Sequence, residues 1–186
     1  MPPTAWRNRA GAASSTPRTG PVTERWFDGP VSGRQRTPVS RLVPGLTGRG
    51  VLLASPADVE AVRTNLAADG VALAEVEGAT DAMRTAQAAI ARALRLPESG
   101  GRNLDALVDA LRDLAVWWPE DERVVLLWHD AGRLVDADLP GFLILTEILR
   151  TATSELGPGG RIGDRQFETV AFVERHGVRT IAEASS

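Results

Sequence analysis

The stretch GGRNLDALVDALRDL, residues 100–114, joins a glycine pair to an asparagine and then to a helical pattern. Leu104, Leu107, Val108, Leu111 and Leu114 recur at the three- and four-residue steps that place apolar side chains on one face of a helix. Asn103 is a favourable N-cap, and Asp105 in the first turn meets the positive end of the helix dipole. The other side carries Asp105, Asp109 and Asp113, each four residues after the last. Like charges at that spacing face each other and cost roughly a few tenths of a kcal/mol per pair. The apolar face already serves packing, so the carboxylate row has no evident structural purpose. As a bare charge run it reads as a solvated helix face.

The pattern on either side sets the fold class. Upstream, GVLLA (50–54) reads as a buried strand, Ser55 and Pro56 open a helix through ADVEAVRTNLA (57–67), and Gly70 ends it. VALAEVEG (71–78) is the next strand. Thr80 is expected to cap a second helix, in which Met83, Ala86, Ile90, Ala93 and Leu94 share a face. Pro97 holds Leu96 away from helical geometry and closes it. Downstream, RVVLLW (123–128) is a continuous apolar strand. A further helix starts at Asp138 or Leu139–Pro140, with Phe142, Leu145, Leu149 and Leu156 in phase and Gly157 as its stop. FETVAFV (167–173) is the last strand. The order β-α-β-α-α-β-α-β with near-continuous apolar strands predicts an α/β fold: a small parallel sheet of three to four strands, covered by helices in two or three layers.

Composition narrows the chemistry. The 186 residues contain no cysteine, which excludes disulfides and thiolate metal sites and fits a reducing compartment. All 21 basic residues are arginine, so there is no lysine for a Walker motif or a Schiff base, and there is no tyrosine. No apolar run reaches membrane-spanning length, and no hydrophobic segment follows the amino-terminal arginines as in a secretory signal. Residues 1–50 hold eight arginines against Glu24 and Asp28, a balance of +6, whereas residues 51–186 balance at −9. An acidic body favours cationic partners over nucleic acid. Residues 1–48, rich in Pro, Gly, Ser and Thr without a sustained period, read as a disordered basic tail.

Other residues that could carry chemistry have plainer readings. His129–Asp130 follows a strand, where functional loops sit in α/β folds, but only two histidines are present and no serine occupies a nucleophile elbow; His129 is expected to be a loop residue. GPGGRIG (157–163) precedes a strand, whereas phosphate-cradling glycines precede a helix. Trp117 and Trp118 are expected to pack at a helix end. Asp105 and Asp109 could together bind Mg²⁺ only with further carboxylates or a phosphate, and no second such pair occurs.

From about Val71 to Val173 the chain resembles the barstar family, small intracellular inhibitors of barnase-type ribonucleases. The specific part is LPESGGRNLDALVDAL (96–111): a helix ending in Leu-Pro, a glycine-bearing loop, then Asn-Leu-Asp-Ala-Leu, one residue, and Asp. The strand VVLLW and the helix FLILTEILRTATSEL follow in the matching places. The resemblance implies no enzymatic activity and no cofactor or metal. It implies a one-to-one complex with a basic secreted ribonuclease, formed in the cytoplasm, with no role for nucleic acid or membrane. It also implies a purpose for the carboxylate row, since in barstars the acidic helix and the loop before it plug the nuclease's active site. By motif position the partner-binding residues are Ser99, Gly100, Gly101, Arg102, Asn103, Asp105, Asp109 and Glu155. Asp109 would take the place of a substrate phosphate, and Asp113 is left as solvated.

Some positions depart from the family's pattern. Ser99 and Gly100 stand where the loop carries aromatics, Val108 where a tryptophan lies between the two acids, and Thr151 where a glutamate lies on the later helix. A second reading therefore stands beside the first: a binding module of the same fold that does not inhibit a nuclease and regulates another basic protein. The expected organisation is a tail over 1–48, an additional β-α unit over 49–70, a barstar-like domain over 71–175 and a loose tail over 176–186.

Overall fold

The computed structural model describes residues 37–78, 80–156, 165–174, 178 and 180–184. The chain divides into two units, Met1–Ser32 and Gly33–Ser186, and every described residue belongs to the second. From its amino end this unit runs α1 (Val39–Leu42), β1 (Thr47–Arg49), β2 (Val51–Ala54), a 3-10 turn at Pro56–Asp58, α2 (Val59–Ala68) and β3 (Ala72–Val76). It continues through α3 (Met83–Ala93), a 3-10 turn at Glu98–Gly101, α4 (Leu104–Arg112), α5 (Leu114–Trp117) and β4 (Arg123–Trp128). The last elements are α6 (Ala131–Ala137), α7 (Leu139–Glu155), β5 (Gln166–Phe172) and α8 (Ile181–Ala184).

The five strands form one sheet in the order β1-β2-β5-β4-β3. All neighbours are parallel except β1 and β2, which pair antiparallel. Alternation along β4 shows how the layers arise. Val124, Leu126 and Trp128 point into one core with Ile90 of α3, Leu107 and Leu111 of α4, and Leu145 and Leu149 of α7. Val125 and Leu127 point into a second core with Val170 and Phe172 of β5, Val62 and Leu66 of α2, and Val39 and Val43 at α1. A strand buried on both faces reads as an unbroken apolar run, as RVVLLW does. The architecture is three-layered, with α3, α4 and α7 on one face and α1 and α2 on the other.

Several expectations change. The sheet has five strands, not three to four, because β1 adds an antiparallel edge. The folded chain reaches back past residue 49: Val39 and Val43 are fully buried, and β1 begins at Thr47, inside the stretch expected to be tail. Thr80 does not cap α3. It is buried, and its Oγ1 accepts a hydrogen bond from Trp128 Nε1 at 3.3 Å. Asp138 serves the helix starts instead. Its Oδ1 accepts from Gly141 N (2.9 Å) at the head of α7, and its Oδ2 accepts from Met83 N (3.3 Å) at the head of α3. The helix α6 was not expected. The carboxyl end also returns to the body, since Ile181 N donates to the buried Asp58 carboxylate at 3.0 Å and Ile181 packs on the second core. GPGGRIG and the rest of 157–164 lie outside the described residues. Among the described residues no helix is long and apolar enough to cross a membrane.

Candidate partner-binding face

Asn103 begins α4 as its sequence suggests. Its side-chain Oδ1 accepts from Asp105 N at 2.8 Å, satisfying one of the free amides of the first turn. Leu107 and Leu111 are buried beneath the helix, and Leu104 and Val108 flank them half-buried. That burial fixes the rotation of α4 and leaves Asp105 and Asp109 exposed together on its outer face. Asp113, one turn further on, is exposed as well. It lies at the junction where α4 stops and α5 starts, with its N–H bonded to the Asp109 carbonyl at 3.3 Å.

The loop ahead of α4 is held from beneath. Gly100 and Gly101 are both buried in the 3-10 turn. The Gly100 carbonyl accepts a hydrogen bond from Gln87 Nε2 on α3 at 2.8 Å. A Cβ at Gly101 would come within 3.3 Å of the Ala88 Cα, so the absence of a side chain is what allows the loop this close to α3. The Ser99 carbonyl accepts from both Arg102 N and Asn103 N at 3.0 Å. Gly100 and Gly101, expected among the contacting residues, are buried where the loop packs on α3 and α4. Ser99, Arg102 and Asn103 face outward, with Arg102 ion-paired to Glu98.

Glu155, 46 residues beyond Asp109 in the chain, is brought to the same face by the packing of α7 on α4. The two carboxylates are joined through Arg112. Its Nη1 lies 3.2 Å from Asp109 Oδ1, its Nε 3.0 Å from Glu155 Oε2 and its Nη2 3.5 Å from Glu155 Oε1. The hydrogen bond from Arg112 holds the Glu155 carboxyl below its ordinary value. The same pairing, Glu155 first and Asp109 after it, raises the Arg112 guanidinium above its own. Beside this cluster an open groove lies between α4 and α7, lined by Val108, Ile148, Thr151, Ala152 and Leu156. The face thus combines an exposed carboxylate pair, an apolar groove and one arginine between acids.

The remaining candidates are structural. His129 stacks on Phe172 (ring centroids 5.3 Å apart, planes 3° from parallel), and its Nε2 lies 2.9 Å from Glu75 Oε2. Arg63 of α2 also bonds Glu75, at 3.1 Å through Nε and 2.6 Å through Nη2. Leu73, two residues before Glu75 on β3, packs in the second core, so this network lies on the sheet face away from α4. Trp118 is buried with its Nε1 donating to the Leu94 carbonyl at 2.9 Å and Arg95 lying over its ring; Trp117 packs half-buried on the core.

The sequence reading missed Gln87 and Arg112. Gln87 falls on the buried side of α3, where a glutamine needs a partner, and that is a usable signal. Arg112 offers a local hint through its spacing of three from Asp109, but its bonds to Glu155 span 43 residues.

A family model described as Barstar (barnase inhibitor) matches residues 71–174, more than half of the chain. No curated protein and no solved structure matches it.

Proposed function

This chain belongs to the barstar family, and from that premise we propose that it inhibits a barnase-like secreted ribonuclease by seating α4 and the preceding loop in the enzyme's active site. That the family is one of inhibitors rather than enzymes supports this reading. The observation that carries the reading is the joint exposure of Asp105 and Asp109 beside a loop locked to α3 by Gln87. A ribonuclease site is lined by cations that hold substrate phosphates. A carboxylate delivered on a helix already folded can take a phosphate's place there with little backbone ordering left to do on this side. Asp109 is the phosphate mimic in this reading and Asp105 its neighbour. Ser99, Arg102 and Asn103 contact the rim, Gly100 and Gly101 set the loop, and Glu155 contributes from α7.

The partner is a basic ribonuclease bound one to one, and the complex forms in the cytoplasm, where it protects the producing cell. The −9 balance of residues 51–186 would speed association with such a partner at low salt. Titrating the protein into barnase tests the reading directly: cleavage of RNA should fall to zero at one equivalent. Unchanged cleavage at excess inhibitor would favour the second reading, a barstar-fold module that binds another basic protein. That reading draws on the face itself, which has no aromatic anchor at Ser99, Gly100 or Val108, a common kind of hot spot at interfaces.

A further inference from the structure

Arg112 sits in the last turn of α4, inside the face assigned above to the partner. Its guanidinium meets Glu155 through both Nε and Nη2 and Asp109 through Nη1. A planar fork of this kind matches carboxylate geometry in a way a lysine ammonium does not. The Arg112 side chain also forms part of the groove wall beside Val108 and Leu111. The carboxylate expected to receive a partner's cation is therefore already paired with a cation from its own chain.

We infer that Arg112 is a specificity-determining residue, an internal counter-cation that a partner must displace or compensate before it can use Asp109 and Glu155. The inference rests on the reading of this face as the partner-binding surface. A partner arginine or lysine approaching Asp109 meets a carboxylate whose charge is partly neutralised and a like charge a few ångströms away. A partner presenting cations alone is disfavoured. One presenting cations together with a carboxylate or carbonyl can take over the donors that Arg112 gives up, leaving none stranded. Because the Arg112 pairs are exposed, displacing them is a modest cost that sorts partners without blocking them. The fitting partner is a basic surface with an acceptor set among its cations.

Two probes separate this inference from the inhibitor reading: a hexa-arginine peptide, which offers cations alone, and barnase. Arg112→Ala, Asp109→Ala with Arg112→Ala, and Arg92→Ala are compared with the parent by calorimetry at low salt. Arg92 is exposed on α3, and its removal controls for the change in net charge. Arg112→Ala should bind hexa-arginine about two- to fivefold more tightly than the parent, as expected for releasing exposed ion pairs. The gain should be largely absent in Arg92→Ala and should shrink, without vanishing, when Asp109 is removed as well, because Glu155 stays released. If Arg112→Ala gains no more than Arg92→Ala, the inference is overturned, whatever barnase does. If the peptide gain appears while neither parent nor variant inhibits barnase, the role of Arg112 stands and the inhibitor reading fails.

Discussion

Gln87 Nε2 donates to the Gly100 carbonyl across 2.8 Å in a buried position, and this bond ties the loop before α4 to the middle of α3. Removing the donor strands a buried carbonyl, which typically costs ~1–3 kcal/mol. Gln87→Leu, which keeps most of the volume, should lower stability by about that amount in chemical denaturation. It should also loosen the loop, read as faster hydrogen exchange at the amides of Arg102 and Asn103. Both amides are bonded to the Ser99 carbonyl, so they report on whether the turn survives.

The two loop glycines should respond differently to alanine. At Gly101 the new methyl would sit 3.3 Å from the Ala88 Cα, a main-chain atom that can yield only if α3 moves. At Gly100 the nearest atoms lie 3.6–3.8 Å away, in ordinary contact. Neither glycine has positive φ, so conformational strain does not enter. Gly101→Ala should cost ~1 kcal/mol or more as overpacking, and Gly100→Ala close to nothing. Equal midpoints for the two variants would show that α3 and the loop are not packed as described.

The amino-terminal segment of the folded unit should prove necessary, against what its composition suggests. Val39 is fully buried and its N–H bonds both carboxylate oxygens of Glu168, at 3.2 and 3.1 Å. The Thr37 carbonyl accepts from Arg123 Nη2 at 2.9 Å. Fully burying a valine is worth ~1.5–3 kcal/mol. Val39→Ala should therefore lose roughly 1–2 kcal/mol, and a chain starting at Gly50 should lose far more, because Val43 and the β1 ladder go with it. Thermal midpoints of the two shortened chains, starting at Thr37 and at Gly50, give the comparison.

These cases show where the sequence was readable and where it was not. RVVLLW and the Asn103 cap could be read because each depends on local pattern: a strand buried on both faces, and an asparagine ahead of an apolar helix. The α1 turn could not, since one helical turn leaves only Val39 and Val43 as a signal. The β1 strand is exposed along its whole length and is held by backbone pairing alone, which leaves no periodicity to find. Thr80 has the chemistry of a cap, but the distant Trp128 indole claims its hydroxyl. At the site, the carboxylate row was visible as spacing. The burial of Gly100 and Gly101 and the bridge from Arg112 to Glu155 were not, because both are made by contacts between helices.

Two carboxylates on the far side of the sheet should bend the pH profile of stability in opposite senses. The hydrogen bond from Arg63, helped by His129, holds Glu75 below its ordinary value against the effect of burial. Its contribution is full above the unfolded value and is lost as pH falls through the lower folded one. Burial raises Glu168, against the Val39 N–H, the Gln166 amide and the Arg123 charge. The folded state then holds that proton more tightly than the unfolded state, so stability is highest below the unfolded value and declines as pH rises through the raised one. Glu75→Gln should flatten the acid limb and weaken the protein at neutral pH. Glu168→Gln should remove the decline toward neutrality. Denaturation midpoints from pH 3 to 8 for the parent and both variants decide the signs.

Asp109→Ala should separate binding from folding. Asp109 lies beyond the first turn of α4, so the helix dipole gives it little, and Asp105 repels it from four residues away. Alanine is also the better helix former. Against these gains stands the loss of the Arg112 pair, an exposed contact of the kind that contributes little. The terms oppose one another, and the denaturation midpoint should scarcely move. In the complex the same carboxylate would be desolvated among the nuclease's cations. Truncation would then strand those charges, for a loss of roughly thirty-fold to several-thousand-fold in affinity, a range for which the barnase–barstar pair itself is a reference case. Asp113→Ala is the control. Asp113 lies at the α4–α5 junction, past the last residue of α4, and its replacement should leave inhibition of barnase unchanged. Inhibition by Asp109→Ala equal to that of the parent, with both proteins folded, would remove α4 as the plug and leave Glu155 and the α7 side of the groove as the surface to test next.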